Sequence, residues 1–397
     1  MERLISKHRQ LLANLQVSFR RPFIDRIHWK ERMIGIKGAR GVGKTTLCLQ
    51  YIAEKYGISN ECLYVSMDNV FFPFATLIEL AEKFWQQGGK HLFIDEIHKY
   101  PNWIAELKNI YDSYPALQVI FTGSSVLQID NSIADLSRRV IIQTMQGFSF
   151  REFLEIEARE KFPKFALSEI LKSHENIAFE IISKIKPLKY FDEYLRIGYY
   201  PYYLQNKETY SIKLSQMINQ VIETDLPLLT RIEPEQINKL KRLLYLLSES
   251  VPFKPNLTKI GELLQVTRQT VSNYIHLLSK AGILKILYSE QHKLSSLAKP
   301  EKLFLQHPNY YYALSYKNLK IGSIRETFFV NQLSESNIVE TSEMGDFMIN
   351  DEYLFEIGGK SKGYKQIANK ENSFLAVDDI EIGIGNKIPL WLFGFLY

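Results

Sequence analysis

The chain has 397 residues, of which 46% are hydrophobic and 23% charged, with a formal net charge of +5. This composition excludes a disordered or low-complexity chain, and two cysteines without metal-ligand spacing exclude a disulfide-stapled scaffold and a zinc module. The length predicts two to four domains, and the small positive charge permits a nucleic-acid partner without requiring one.

Residues 1–30 open with MERLISKHRQLLANL, a charged amphipathic helical segment with no signal-peptide core. No apolar run is long enough to span a bilayer, so a cytoplasmic protein without a membrane partner is expected. Cys48 and Cys62 each fall in an apolar stretch, as small core residues do.

Residues 31–147 alternate strand and helix patterns, an α/β signature. The strands are predicted at Met33–Lys37, Cys62–Ser66, His91–Ile94, Leu117–Thr122 and Val140–Thr144. Between the first strand and a helical run lies KGARGVGKTT, which fits G-x-x-x-x-G-K-[ST] from Gly38 to Thr45. Its glycines, Gly38, Gly41 and Gly43, allow tight turns and close backbone approach. With Ala39, Arg40, Val42 and Thr46 they form a cradle of N–H groups at a helix start, suited to phosphates. Lys44 then reaches the β- and γ-phosphates, and the Thr45 hydroxyl ligates Mg2+.

HLFIDEIHKY supplies the acids that such a clamp needs. Asp95 at the strand end is the Mg2+ partner, and Glu96 is placed to orient and deprotonate the attacking water. His98 reads as helix surface. The Cys62–Ser66 strand falls between clamp and acids in sequence, which suits the ATPase branch with an extra strand between the two motif strands. Guanine readers carry N-K-x-D; Asn238-Lys239-Leu240-Lys241 lacks the aspartate, so ATP is the expected nucleotide. In LQVIFTGSS, Thr122, Ser124 or Ser125 can sense the γ-phosphate, with Ser124 the expected contact. In DLSRRV, Arg138 or Arg139 can act as an arginine finger, within its own subunit or across a contact.

Residues 148–210 read as a helical lid or linker. GFSFREFLEIE opens it, with Ser149 as a helix cap and Phe150 and Phe153 as an apolar face. Residues 211–295 carry a helix-turn-helix pattern: Thr258 capping a helix to Leu264, a turn at Gln265-Val266-Thr267, and a second helix from Arg268 to Lys280, stopped by Gly282. ILKILYSE follows as a strand, so a winged helix is expected. In a reader of duplex DNA, Arg268, Gln269, Thr270, Asn273 and Tyr274 face the groove. The competing expectation is a winged helix used for packing or protein contact.

Residues 296–397 mix helix and strand. GSIRETFFVNQL is a helix carrying Glu326, and GDFMINDEYLFEIGGKSKG is a hairpin turning at Asn350-Asp351. Asp346 and Glu356 can share a divalent metal, as in many nucleases. Such a centre wants a lysine two residues after the glutamate, where this chain has Gly358; Lys360 has the right parity one pair further on, and Lys362 lies further still. A nuclease-like fold without cleavage is therefore the leading expectation.

GARGVGKTTL, LFIDEIHKYPNW, TGSS, SRRV and GFSFREF, in that order, resemble a bacterial and archaeal family of AAA-type ATPases related to the signalling ATPases with numerous domains. The resemblance continues through IETDL and GDFMI…FEIGGK and covers nearly the whole chain. It implies an α/β multidomain protein: a P-loop parallel-sheet ATPase core, a helical lid, a winged helix and a C-terminal α+β domain of the PD-(D/E)XK nuclease-like fold. It matches the finger to Arg139 and the nuclease-like acids to Glu326, Asp346 and Glu356. The expected function is a Mg-ATP-hydrolysing switch or motor coupled to a DNA-associated C-terminal half. The alternatives are a slow switch acting on a protein partner or through self-association, and an ATP-gated nuclease.

Overall fold

The computed structural model describes residues 1–16, 19–68, 74, 76–123, 136, 138–229, 232–249, 254–289, 300–315, 319–363 and 370–397. Residues Met1–Gly147 and Phe148–Tyr397 form two compact units. Among the described residues no helix is long and apolar enough to cross a membrane.

The first unit is built on five strands, β1 (Met33–Lys37), β2 (Cys62–Ser66), β3 (His91–Asp95), β4 (Gln118–Gly123) and β5 (Ile141–Thr144). They are all parallel, in the order β2-β3-β4-β1-β5. The central residues of β1 to β4 are buried on both faces, which is why they read as apolar runs instead of alternating ones, while β5 is only half-buried. Helices α1 (Glu2–Ala13), α2 (Phe23–Arg26), α3 (Lys44–Lys55), α4 (Leu77–Gln86) and α5 (Trp103–Ser113) complete the unit. Leu77, Leu80 and Phe84 of α4 and Trp103, Leu107 and Ile110 of α5 share one core with Leu92, Ile94, Val119 and Phe121. Burying each such side chain contributes about 1.5–3 kcal/mol.

As expected, an extra strand separates the two motif strands in the sheet: it is β4, while Cys62–Ser66, which lies between the motifs in sequence, forms the sheet edge. Chain order and sheet order differ because each crossover helix returns the chain to either side of the growing sheet. The register sets Ile36 beside Thr122 and Ser66 beside Asp95, so the carboxyl ends of four strands meet along one crevice. The α1 helix packs on the edge strand β2, where His8 Nδ1 accepts the Tyr64 N–H at 3.1 Å. An edge donor that would otherwise invite another strand is thereby satisfied.

The second unit opens with α6 (Phe150–Glu157), α7 (Leu167–Lys184), α8 (Pro187–Ile197) and α9 (Tyr210–Gln220), which runs through a π turn at Val221–Asp225 into α10 (Leu226–Leu229). Ser149 caps α6 through a capping box with Glu152. Phe150 packs edge-on against Phe191 and Phe395, and Phe191 against Phe328. The segment expected as a lid therefore shares its core with the last residues of the chain. Tyr194, Tyr199, Tyr200 and Tyr203 are fully buried, and Asn309 ties Tyr194 to Tyr199 and Tyr210: its amide donates to the Tyr194 and Leu195 carbonyls and accepts from the Tyr199 N–H and the Tyr210 hydroxyl.

Three helices follow, α11 (Pro234–Glu249), α12 (Leu257–Leu264) and α13 (Arg268–Lys280), then the antiparallel pair β6 (Leu284–Leu287) and β7 (Lys302–Leu305). Asn256, not Thr258, caps α12, because it is the Asn256 side chain that accepts the Lys259 N–H. Thr267 caps α13. After α14 (Pro308–Leu314) and α15 (Ile321–Leu333) comes a mixed sheet of β8 (Val339–Thr341), β9 (Phe347–Ile349), β10 (Tyr353–Gly358), β11 (Ser373–Val377) and β12 (Lys387–Pro389). The first three strands are antiparallel and the last three parallel. Asn350 and Asp351 both have positive φ, the geometry of a tight two-residue hairpin turn.

Candidate functional site

The loop from Gly38 to Gly43 leaves β1 at the carboxyl edge and delivers the chain into α3 at Lys44. Gly43 has φ +98°, which a side chain would strain, and a Cβ on Gly38 would lie 2.3 Å from the Met145 carbonyl oxygen. Val42 is buried and anchors the loop from below, while Thr46 is exposed on the first turn of α3. The Lys44 side chain is buried, and its ammonium donates to the Gly38 and Ala39 carbonyls at 2.8 and 3.1 Å. Burial lowers its pKa, against the opposing pull of Glu96 and Asp95. A desolvated cation at a helix start, beside a glycine loop, is suited to an incoming polyanion.

Asp95 ends β3 with its carboxylate held by hydroxyl groups. Thr45 Oγ1 and the Tyr64 phenol each donate to its Oδ2 at 2.7 Å, and Thr122 donates to its Oδ1. Thr45 and Asp95 together offer two hard oxygens of the kind that suit Mg2+. Glu96 adopts φ 54°, ψ 41°, a left-handed conformation that costs a non-glycine residue about 1–2 kcal/mol. Its N–H donates to Thr122 Oγ1 at 3.1 Å, which fixes the carboxylate at the mouth of the crevice. His98 is not a surface residue: it is buried, with Nε2 3.6 Å from Glu96 Oε2. Burial first, then the Lys44 charge, pushes its pKa down to about 4, so it is neutral beside Glu96.

Arg139 is not at the clamp of its own chain. It precedes β5, whose register pairs Ile141 with Ile34 and Thr144 with Lys37. It therefore sits at the amino edge of the sheet, about 10 Å of strand or more from the loop. There it grips Asp112 through two contacts of 3.1 Å. The finger role within one subunit is thus excluded. Arg138 occupies the left-handed region beside it. Ser124 and Ser125 lie outside the described residues, and Thr122 is the hydroxyl that meets Asp95.

Two participants escaped the sequence reading. Tyr64 is one. Arg21 is the other: buried, it donates to the Val42, Gln146 and Gly147 carbonyls and ties the loop to the end of β5. Neither lies in a motif, and no spacing rule points to them.

In the second unit Arg268, Gln269 and Asn273 are exposed on α13 and Thr270 is half-buried. Gln269 donates to Asn273 Oδ1 at 3.2 Å. Tyr274, expected to face a groove in DNA, is instead buried, because its position shares the inward face with Val271, Ile275 and Leu278. A cleft of about 490 Å3 runs along this helix, lined by Gln236, Thr270, Asn273, His276 and Lys280.

The C-terminal acids do come together, but with lysines among them. Lys302 Nζ lies 3.6 Å from Glu326 Oε2 and 3.7 Å from Asp346 Oδ1, and Lys362 Nζ lies 2.5 Å from Glu356 Oε1. Asp346 Oδ2 also accepts the Ile357 N–H at 2.8 Å. The expected Lys360 is exposed and takes no part; Lys362 does, since a Cβ on Gly358 would lie 2.5 Å from the Lys362 Cβ and Cγ. The bare glycine gives the lysine stem its path back to Glu356. Burial pushes Glu326 up to about 7 and also raises Glu356. Among the described residues, no three Asp, Glu, His or Cys side chains are grouped to hold a metal ion.

Comparison with known proteins finds a likeness for both parts of the chain. Residues 30–154 match the family model described as AAA domain, and residues 188–315 match a domain of unknown function (DUF8612). An uncharacterized protein of Methanocaldococcus jannaschii is 27% identical over 395 residues, covering 90% of this chain and 82% of that protein. Among solved structures, the Walker-type ATPase of Pyrococcus abyssi is 13% identical with a TM-score of 0.43, covering 76% of this chain and 99% of that one. AMPPCP-bound DnaA from Aquifex aeolicus is 15% identical with a TM-score of 0.24, covering 69% of this chain and 86% of that one. What the comparison gives is a likeness of residues 30–154 to an AAA domain.

Proposed function

We propose that the protein binds and hydrolyses Mg-ATP, and that the nucleotide state of the first unit is passed to the second. The observation that carries this reading is the meeting of a buried Lys44, the Thr45 hydroxyl and the Asp95 carboxylate under one glycine loop. The N–H groups of Gly38 to Thr46 bind the phosphate oxygens, and Lys44 Nζ leaves its two carbonyl partners for the β- and γ-phosphates. Thr45 and Asp95 hold the magnesium ion, which supplies charge neutralisation of the phosphate oxygens when bound. Glu96 takes the proton of the attacking water at its carboxylate, and neutral His98 beside it does not compete as a cation. Arg139, fixed to Asp112 in its own chain, serves as a finger only toward a second copy.

For the second unit we propose a winged helix on α11–α13 with the β6–β7 ribbon, contacting duplex DNA through Arg268, Gln269, Thr270 and Asn273. Exposure of three of these on one helix supports it. The fold order of β8–β11 beside α15 supports a PD-(D/E)XK-like domain whose acids are neutralised by lysines, and so a structural role rather than cleavage.

The test is ATP hydrolysis by purified protein, with and without duplex DNA, beside Lys44→Ala. Turnover lost in Lys44→Ala establishes the ATPase; stimulation by DNA that fades with salt establishes the DNA arm. Turnover indifferent to DNA at every salt concentration redirects the second unit to a protein partner. Absence of both binding and turnover overturns the whole reading.

A further inference from the structure

We propose that Tyr64 is a positioning residue of the nucleotide site: its phenol holds the metal-binding carboxylate of Asp95 in place, and the N-terminal helix holds Tyr64. This rests on the Mg-ATP reading above.

Tyr64 belongs to β2, the edge strand, and outside the P-loop and acid motifs. The register pairs Asp95 with Ser66, two residues further along. That offset is about 6.6 Å along a parallel strand. A serine or threonine at position 64 could not bridge it. A tyrosine can, because its rigid ring carries a hydroxyl at that reach, and the result is a 2.7 Å hydrogen bond to Asp95 Oδ2. The same oxygen accepts from Thr45, the other metal-binding side chain. Tyr64 and Thr122 therefore pin the two carboxylate oxygens from opposite sides, and Thr45 is aligned by the oxygen that Tyr64 fixes.

The backbone of Tyr64 is held from outside the sheet. His8 on α1 accepts its N–H at 3.1 Å, at a position where an edge strand has no neighbour. A cleft of about 350 Å3 opens where the phenol meets Asp95, lined by Lys7, Thr45, Tyr64, Ser66 and Asp68. It offers room for the water molecules that Mg2+ keeps when protein-bound. Groups that orient a metal ligand commonly change metal affinity by 10- to 100-fold when removed.

Tyr64→Phe keeps the ring and deletes only the donor. The measurement is the binding of a fluorescent non-hydrolysable ATP analogue at rising Mg2+, with a parallel titration in EDTA. The Mg2+ needed for half-maximal binding should rise about tenfold or more, while metal-free nucleotide affinity and melting temperature stay near the parent's. His8→Ala should move the same midpoint in the same direction, by less. A midpoint within about twofold of the parent in well-folded Tyr64→Phe overturns the assignment. Parent protein whose nucleotide binding ignores both Mg2+ and Lys44→Ala overturns the Mg-ATP reading itself, and Tyr64 with it.

Discussion

Asp95 and Glu356 are both buried carboxylates on sheet strands, and they are held in opposite ways. Asp95 is surrounded by neutral donors: Thr45, Tyr64 and Thr122. They satisfy its lone pairs without adding a charge of their own, so the group still favours a cation. Glu356, with Glu326 and Asp346, faces the ammonium groups of Lys302 and Lys362. Those cations supply the countercharge, Lys362 in close contact and Lys302 at ion-pair distance. The partner of a carboxylate, more than its burial, decides whether it is free for chemistry or built into the structure.

The sharpest way to break this contrast is at Glu96, the base in the proposed reaction. Glu96→Gln should retain nucleotide and lose about 10^2-fold or more in turnover, measured under single-turnover conditions. Retained turnover would remove Glu96 as the base. Asp346→Ala should leave ATP turnover unchanged and produce no loss of DNA nicking, because none is expected from the parent.

Next in size is the lysine-filled centre. Lys362→Met strands the Glu356 carboxylate in the interior and should destabilise the second unit by about 3 kcal/mol, read by denaturant unfolding. A change under about 1 kcal/mol would mean that the ion pair is not what holds the centre.

The two units should also respond to pH with opposite sign. His98 is lowered from 6.5 to about 4, so its stabilising contribution is present above pH 6.5 and lost as pH falls toward 4. Glu326 is raised from 4.5 to about 7, so its contribution is present below pH 4.5 and lost as pH rises through 7. Each window spans at most about 3 kcal/mol. His98→Asn should flatten the acid-side slope and Glu326→Gln the neutral-side slope, followed by melting temperature from pH 4 to 8. Equal slopes in parent and variants would refute the assignments.

The smaller effects test the frame. Ser149→Ala removes one half of the α6 capping box and should cost about 1 kcal/mol. Arg139→Ala should leave turnover unaltered at low protein concentration, with a deficit appearing only where copies associate; a deficit independent of concentration contradicts the placement of Arg139 at the far edge.

The first four strands of the first unit were readable because each is a short apolar run between helical patterns, and burial on both faces leaves little polar alternation to mislead. The loop and Asp95–Glu96 were readable because phosphate and metal chemistry impose spacing along the chain. Position in the sheet was not, and Cys62–Ser66 went to the edge while Gln118–Gly123 entered the middle. Tyr274 was misread because the exposed face of that helix and the face that meets the core differ by one residue of rotation. Lys360 was chosen by strand parity, but the chain leaves the strand after Gly358 and parity ends with it.

By itself, then, the sequence determined the parallel α/β core, the clamp from Gly38 to Thr45 and the acids beside it, since these depend on local periodicity and on motif spacing. Only the tertiary structure decided that Tyr64, His8 and Arg21 brace that site, that Lys302 and Lys362 neutralise the second cluster of acids, and that Arg139 faces away. Those pairings join residues up to 126 positions apart, as Arg21 and Gly147 do. Contacts of that range follow from sheet order and register, which the whole chain settles together as it packs.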